Sequence, residues 1–355
     1  MTMSIVAPTT LTDAMLVSTT VPEALVSEYA GGTTYALAAR CGIAVGTAQT
    51  VYQSLQAANT GHAPASSPTW WGVVSVVYAP YSGATTYADL DIVSSISTDS
   101  HLLYRSLAAG NVGNALSDTT KWQPFGPTNA WGMFDRKIGT LSQVTTGNLT
   151  VVINPGRLGG LGLLRMVGKT ATITIKDAPG GSVVYTVTKL LDGTIITDVY
   201  EWFTTEWAKL ADWALTGLPA HFFTPELTLT ITPYAGLASC GVCHFGKVIT
   251  FGDTQMGASV GIKDWSQKTR DTWGNYDFVE GDFANTNNLT VMLDKVDFNK
   301  VFTTLADFRA KPCIYIGTEL DGYSPLLSYG IYNSMSIVVE YATKFLLNIQ
   351  TESLT

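Results

Sequence analysis

Charge is scarce in this chain. Only 14% of its 355 residues are Asp, Glu, Lys or Arg, against about a quarter in an ordinary soluble protein. Lys and Arg are never clustered and the net charge is −8. Phosphate recognition needs a basic footprint, so no nucleic-acid partner is expected. Four cysteines (Cys41, Cys240, Cys243, Cys313) are too few and too scattered for a disulfide framework. Apolar runs are short as well. The longest strongly apolar piece, residues 73–78, is strand-sized, and nothing approaches the ~18 residues of a membrane span. No Lys or Arg precedes the first apolar stretch in residues 1–15, which predicts no secretory leader and a chain made in a cytoplasm.

What is present is apolar and uncharged polar. Hydrophobic residues make up 46%, enough to exclude disorder and to give several domains a core each. A surface short of charge leaves wide neutral areas, the usual mark of association. Self-association is therefore expected.

The first third of the chain repeats itself at an offset of 52 residues. Tyr29, Gly31, Thr33, Thr34, Tyr35 and Ala36 align with Tyr81, Gly83, Thr85, Thr86, Tyr87 and Ala88. Tyr52, Ser54, Leu55, Asn59, Gly61 and Trp70 align with Tyr104, Ser106, Leu107, Asn111, Gly113 and Trp122. Each unit reads as a Tyr/Gly turn, a short strand ending in Tyr-x-Ser-Leu, an Asn-x-Gly turn and a closing Trp. So small a unit must build its core largely from aromatic rings. The order of these residues resembles the small chitin-binding-type carbohydrate-binding modules. The first unit keeps a proline (Pro64) that the second replaces with Leu116. The resemblance implies sugar stacking on Tyr52, Trp70, Trp71, Tyr104 and Trp122, set against a role for the same rings as core.

From residue 145 the pattern becomes alternation. Residues 148–154, 171–176, 182–188 and 227–232 read as half-buried strands separated by Pro/Gly and Asp-Gly turns, which predicts an antiparallel β-sandwich. Residues 198–215, with Trp202, Phe203, Trp207, Leu210 and Trp213, read as a short amphipathic helix or an irregular loop. Further on, 246–252, 259–264 and 289–293 read as strands around a polar span rich in Gly, Asn and Asp. Phe298, Val301, Phe302, Leu305 and Phe308 recur at helical spacing, with Asp297 as the expected cap and Pro312 beyond the end. Residues 313–317, 327–339 and 344–350 return to strands, giving one helix on an antiparallel sheet.

The run Asn129-Ala130-Trp131-Gly132-Met133-Phe134-Asp135 and the string 257–265, with the sandwich between them, look like tail-associated virion proteins of tailed bacteriophages. That resemblance implies an adaptor, baseplate or tail-tip component, assembled in the host cytoplasm and located in the virion. Other tail proteins, further copies of this chain and bacterial surface polysaccharide are the implied partners. It implies no catalytic residue.

Three motifs suggest other chemistry. Cys240-Gly-Val-Cys243-His244 matches the haem-attachment string, but the expected strand at 245–251 leaves no loop for a macrocycle, and a zinc site lacks its second pair of ligands. Residues 162–170 mimic a phosphate loop with one residue too many between the glycines, and those residues are bulky. Glu201 and Glu206 are candidate carboxylates for a polysaccharide-degrading enzyme, which sequence cannot pair. A free carbohydrate-binding protein is the third alternative. The sequons at Asn148 and Asn288 are expected to be inert without secretion. Neither cofactor nor metal is expected.

The chain is thus expected to be mainly β and multidomain, and to act without catalysis. The expected divisions are an N-terminal arm (1–20), two small β modules (21–73 and 74–126), an antiparallel β-sandwich (127–240) and a C-terminal α+β domain (241–355).

Overall fold

The computed structural model describes residues 2–191, 200, 211–234, 236–270, 272–318, 323–339 and 341–354. The chain is mainly β throughout. Its first strand, β1 (Thr2–Val6), is followed by β2 (Leu16–Thr19). The first module holds β3 (Arg40–Val45), β4 (Ala48–Ser54) and β5 (Trp71–Tyr78). The second holds β6 (Ile92–Ile96), β7 (His101–Ser106) and β8 (Trp122–Pro127). Each module is a three-stranded antiparallel meander.

The sandwich-like body contains β9 (Ser142–Val144), β10 (Leu149–Ile153), β11 (Gly160–Leu164), β12 (Thr170–Lys176), β13 (Val183–Leu190), β14 (Trp213–Leu215), β15 (Glu226–Thr232), β16 (Ala238–Cys240) and β17 (Val242–Gly246). A five-stranded sheet, β13-β12-β15-β10-β2, faces the three-stranded sheet β14-β11-β17. Alternation decides which residues lie between them. Leu149, Val151 and Ile153 on β10 and Ala171, Ile173 and Ile175 on β12 join Leu161, Leu163 and Phe245 in one buried cluster, while Thr172 and Thr188 face outward and share a hydrogen bond. The four strands expected at 148–154, 171–176, 182–188 and 227–232 are present with ends shifted by a residue or two. Residues 201–210, with Trp202, Trp207, Glu201 and Glu206, lie outside the described residues.

The C-terminal unit contains β18 (Val248–Thr254), β19 (Ser259–Asp264), β20 (Gln267–Arg270), β21 (Tyr276–Val279), β22 (Phe283–Asp294), the helix α1 (Phe298–Asp307), β23 (Cys313–Ile316), β24 (Leu327–Val338) and β25 (Lys344–Ser353). Its sheet runs β18-β1-β23-β24-β25-β22-β19, and β18 also pairs with β22 through Asp253↔Met292 and Thr254↔Val291. Six antiparallel strands therefore close on themselves, which removes most of the exposed edge. One face of these strands forms a cluster around Met3, Ile5, Val291, Tyr315 and Leu347, and α1 packs Val301 and Leu305 into it. The opposite face carries Val6, Ile314, Ile316 and Tyr329, which meet Leu164 and Val242 of the sandwich. Among the described residues no helix is long and apolar enough to cross a membrane.

Residues 1–20, expected to form an arm, instead supply strands to two sheets. β1 lies between β18 and β23, and β2 borders β10. β17 belongs to the sandwich through its pairing with β11, a few residues past the division expected at 240/241. The polar span expected between 265 and 288 holds β20, β21 and half of β22. Asp297 stands at the helix start without making a side-chain capping bond.

Candidate functional site

The two modules repeat in geometry as they do in sequence. Tyr35 bridges Asn59 in the first and Tyr87 bridges Asn111 in the second. Asn59 Nδ2 donates to Ser54 Oγ at 3.0 Å, and Asn111 Nδ2 donates to Ser106 Oγ at 3.0 Å. Gly61 and Gly113 both take positive φ, 79° and 71°, so the Asn-x-Gly turn needs glycine for its backbone alone. Three rings fill each core. Tyr29 and Tyr35 stack at 5.9 Å and both meet Trp71 edge-on, and Tyr81 and Tyr87 stack at 6.1 Å and both meet Trp122 edge-on.

This arrangement separates the five expected sugar-stacking residues. Trp71 is 3% exposed and Trp122 is 1% exposed, so neither ring has a face to offer a sugar. Their indole N–H groups are also spent, on His62 O at 2.7 Å and Asn114 O at 3.0 Å. Tyr52, Trp70 and Tyr104 pack against the small cores while remaining partly exposed. Trp71, not Trp70, is the structural equivalent of Trp122, because Ser54 pairs with Trp71 as Ser106 pairs with Trp122. The loop before Trp71 is one residue longer, so an ungapped alignment pairs the wrong tryptophan. Trp70 corresponds to Lys121. It is stacked on His62 at 3.8 Å and 10°, a pair the second module lacks and the sequence pattern did not reveal.

The modules are inserted into the body rather than appended to it. The chain leaves the body near Glu23 and returns at Thr128, and Thr128 Oγ1 donates to the Glu23 carboxylate. Glu23 Oε1 also lies 2.8 Å from His101 Nδ1. His101 is 1% exposed and stacks on Trp131 at 3.8 Å. The 78 positions between Glu23 and His101 hid this contact from sequence reasoning. A cleft of about 390 Å³ opens beside this junction, bordered by Glu23, Ser75, Tyr78, Ser94, Asn129 and Gln143. The first module is fused more closely. Val51, Val74 and Val77 belong to the same buried cluster as Trp131, Met133 and Val144, and Thr145 N donates to Val74 O at 3.1 Å.

The haem-like string lies in β16 and β17. Cys240 and Cys243 are buried free thiols. Burial pushes the Cys240 thiol up to about 12 and Cys243 well above its ordinary value, which disfavours the thiolate a metal or haem vinyl group requires. His244 is pushed down to about 4, again by burial, and its Nε2 lies 3.0 Å from Val6 O. Among the described residues no three His, Cys, Asp or Glu side chains are grouped to hold a metal. Gly162, in the phosphate-loop mimic, lies within β11, where an added Cβ would overlap the Ile314 side chain. Its smallness serves packing between sandwich and barrel.

No known protein family, curated protein or solved structure matches this chain.

Proposed function

We propose that the chain is a non-catalytic structural component of a bacteriophage tail, an adaptor, baseplate or tail-tip subunit, whose two modules touch host-surface glycan. The observation that carries this reading is the mode of insertion. Two small aromatic modules leave and re-enter a two-core body at one point, beside Glu23 and Thr128, and the first is anchored in the body's core through Val51, Val74 and Val77, so the pair is carried as a fixed part of the body. Low charge and exposed apolar groups on the C-terminal unit, among them Trp273, Tyr276 and Phe278, favour a body that is covered by neighbours. On this reading the subunit self-associates in the particle and lies beside other tail proteins. Glycan contact falls to the partly exposed Trp70 and Tyr52 of the first module and Tyr104 of the second, and not to the buried Trp71 and Trp122.

The test replaces residues 24–126 with a short flexible linker and follows the chain into particles. Particles carrying the shortened chain are expected to assemble and to adsorb to host cells less well. The loss should exceed that of one weak site, because two modules per chain and several chains per particle multiply contacts. Trp70→Ala, at a half-buried position, should reduce adsorption while leaving the module folded. Normal adsorption by the shortened particles would end the glycan assignment, and absence of the intact chain from purified particles would end the tail assignment.

A further inference from the structure

One element with little support from the rest of the fold is the ribbon that begins with β19 and β22 and ends in the β20–β21 hairpin. β25 backs β22 only as far as Thr286. Beyond that residue β22 has β19 alone, and beyond Asp264 the pairing is between β20 and β21 alone. A two-stranded ribbon by itself is marginal in water. This one is also apolar at its surface. Ile262, Tyr276, Phe278, Val279 and Phe283 are all exposed, and Trp273 is 89% exposed. Its bases are engaged locally. Lys263 pairs with Glu352 at 2.8 Å, Lys268 pairs with Asp264 at 3.6 Å, and Arg270 lies over the Tyr276 ring at 5.3 Å. Asp277, Glu280 and Asp282 remain as an exposed acidic strip that forms none of the ion pairs among the described residues.

A surface of opposite character flanks the helix. Val296, just before α1, is 92% exposed, and Phe302 is exposed on α1 itself; Lys295, Lys300, Arg309 and Lys311, on or next to the same helix, are exposed too. These four bases outnumber the local acids Asp297 and Asp307, since Asp294 is already paired with Lys344 at 2.5 Å. The two surfaces lie at opposite ends of one strand. The acidic strip precedes Phe283 and the basic surface follows Asp294, the two ends of β22, about 37 Å apart at the rise of an extended strand. They cannot meet within one chain.

The geometry points to a head-to-tail contact in which the ribbon of one copy docks on the α1 surface of a second copy. Asp277, Glu280 and Asp282 face Lys295, Lys300, Arg309 and Lys311, and the ribbon's Phe283 and Val279 cover Phe302 and Val296. The two patches differ, so the contact is heterologous and repeats into a ring or an open filament. Exposed aromatic residues supply the anchors such an interface uses, and the pairing of charge sets its direction. This deepens the self-association proposed above and rests on that part of the reading.

Purified full-length chain tests the contact directly, whether or not the chain is found in a particle. Sedimentation velocity over a concentration series reads its association. The first variant carries Asp277→Lys, Glu280→Lys and Asp282→Lys, and the second carries Lys300→Glu, Arg309→Glu and Lys311→Glu. All six positions are exposed, and thermal melts by circular dichroism check that each variant folds. Each variant alone is expected to require about tenfold or more higher concentration to associate. Mixing the two restores association, because the reversed strip of one then faces the reversed surface of the other. A wild-type chain that stays monomeric across the series overturns the proposal. So do reversed variants that associate like the wild type, or a mixture that associates no better than its parts.

Discussion

Two residues at the seam between sandwich and barrel show how single positions fix the joining of the two cores. Gly162 brings β11 against β23 closely enough that any side chain would collide with Ile314. Gly162→Ala is expected to destabilise the protein by about 1–3 kcal/mol, the cost of overpacking a closed interior. Ile314→Val removes the colliding carbon, so the double variant should recover part of that loss in chemical denaturation. A fully additive cycle would show that the two residues do not meet. His244 crosses the same seam toward Val6 O and meets the Tyr329 ring edge-on at 5.5 Å. Burial holds it at about 4 when folded, against an ordinary 6.5. Between these values the unfolded chain binds the proton and the folded chain does not, so stability rises with pH through that window and falls on acidification. Below about pH 4 both states are protonated and the loss is complete, about 3 kcal/mol at the usual scale for such a shift. His244→Gln should flatten the melting temperature between pH 6.5 and 4, and an unchanged slope would assign the acid sensitivity to other groups.

At the scale of elements, β1 is the piece whose removal tells most. It pairs on one side with β18 and on the other with β23, partners roughly 245 and 310 positions away. Met3 and Ile5 enter the barrel cluster while Val6 enters the seam. Without β1 the strands of the barrel lose closure and two clusters lose apolar side chains. A chain lacking residues 2–7 is therefore expected to lose the cooperative melt of the C-terminal unit and to become protease-sensitive within residues 248–354. Retention of a native melt would mean that β18 and β23 can pair directly. Helix α1 behaves differently. Its apolar spacing places Val301 and Leu305 inward, while Lys300 and Phe302 remain outside. The same helix thus helps to close one core and offers the surface proposed for the next copy.

The whole molecule is a two-core body with an inserted pair of modules. Deleting residues 1–125 would remove β1 and β2 with the modules, so it cannot separate display from folding; excision of 24–126 keeps both strands. That excision still removes Val51, Val74 and Val77 from the body's cluster, so the shortened chain should melt at a lower temperature than the intact one. Local signals in the sequence determined a good deal of this. Alternation located β10, β12, β13 and β15, a helical period located α1, and the 52-residue repeat located both modules with their turn glycines. Such features arise from contacts between near neighbours, which leave a period in the chain. Tertiary structure alone decided the rest. It placed β1 within a distant sheet, closed the barrel through β18 and β22, and brought Glu23 to His101. It also made Trp71 rather than Trp70 the partner of Trp122, and exposed the aromatic ribbon within a span that reads as polar. Each depends on pairing between segments far apart, or on one extra loop residue, and neither leaves a local period to read.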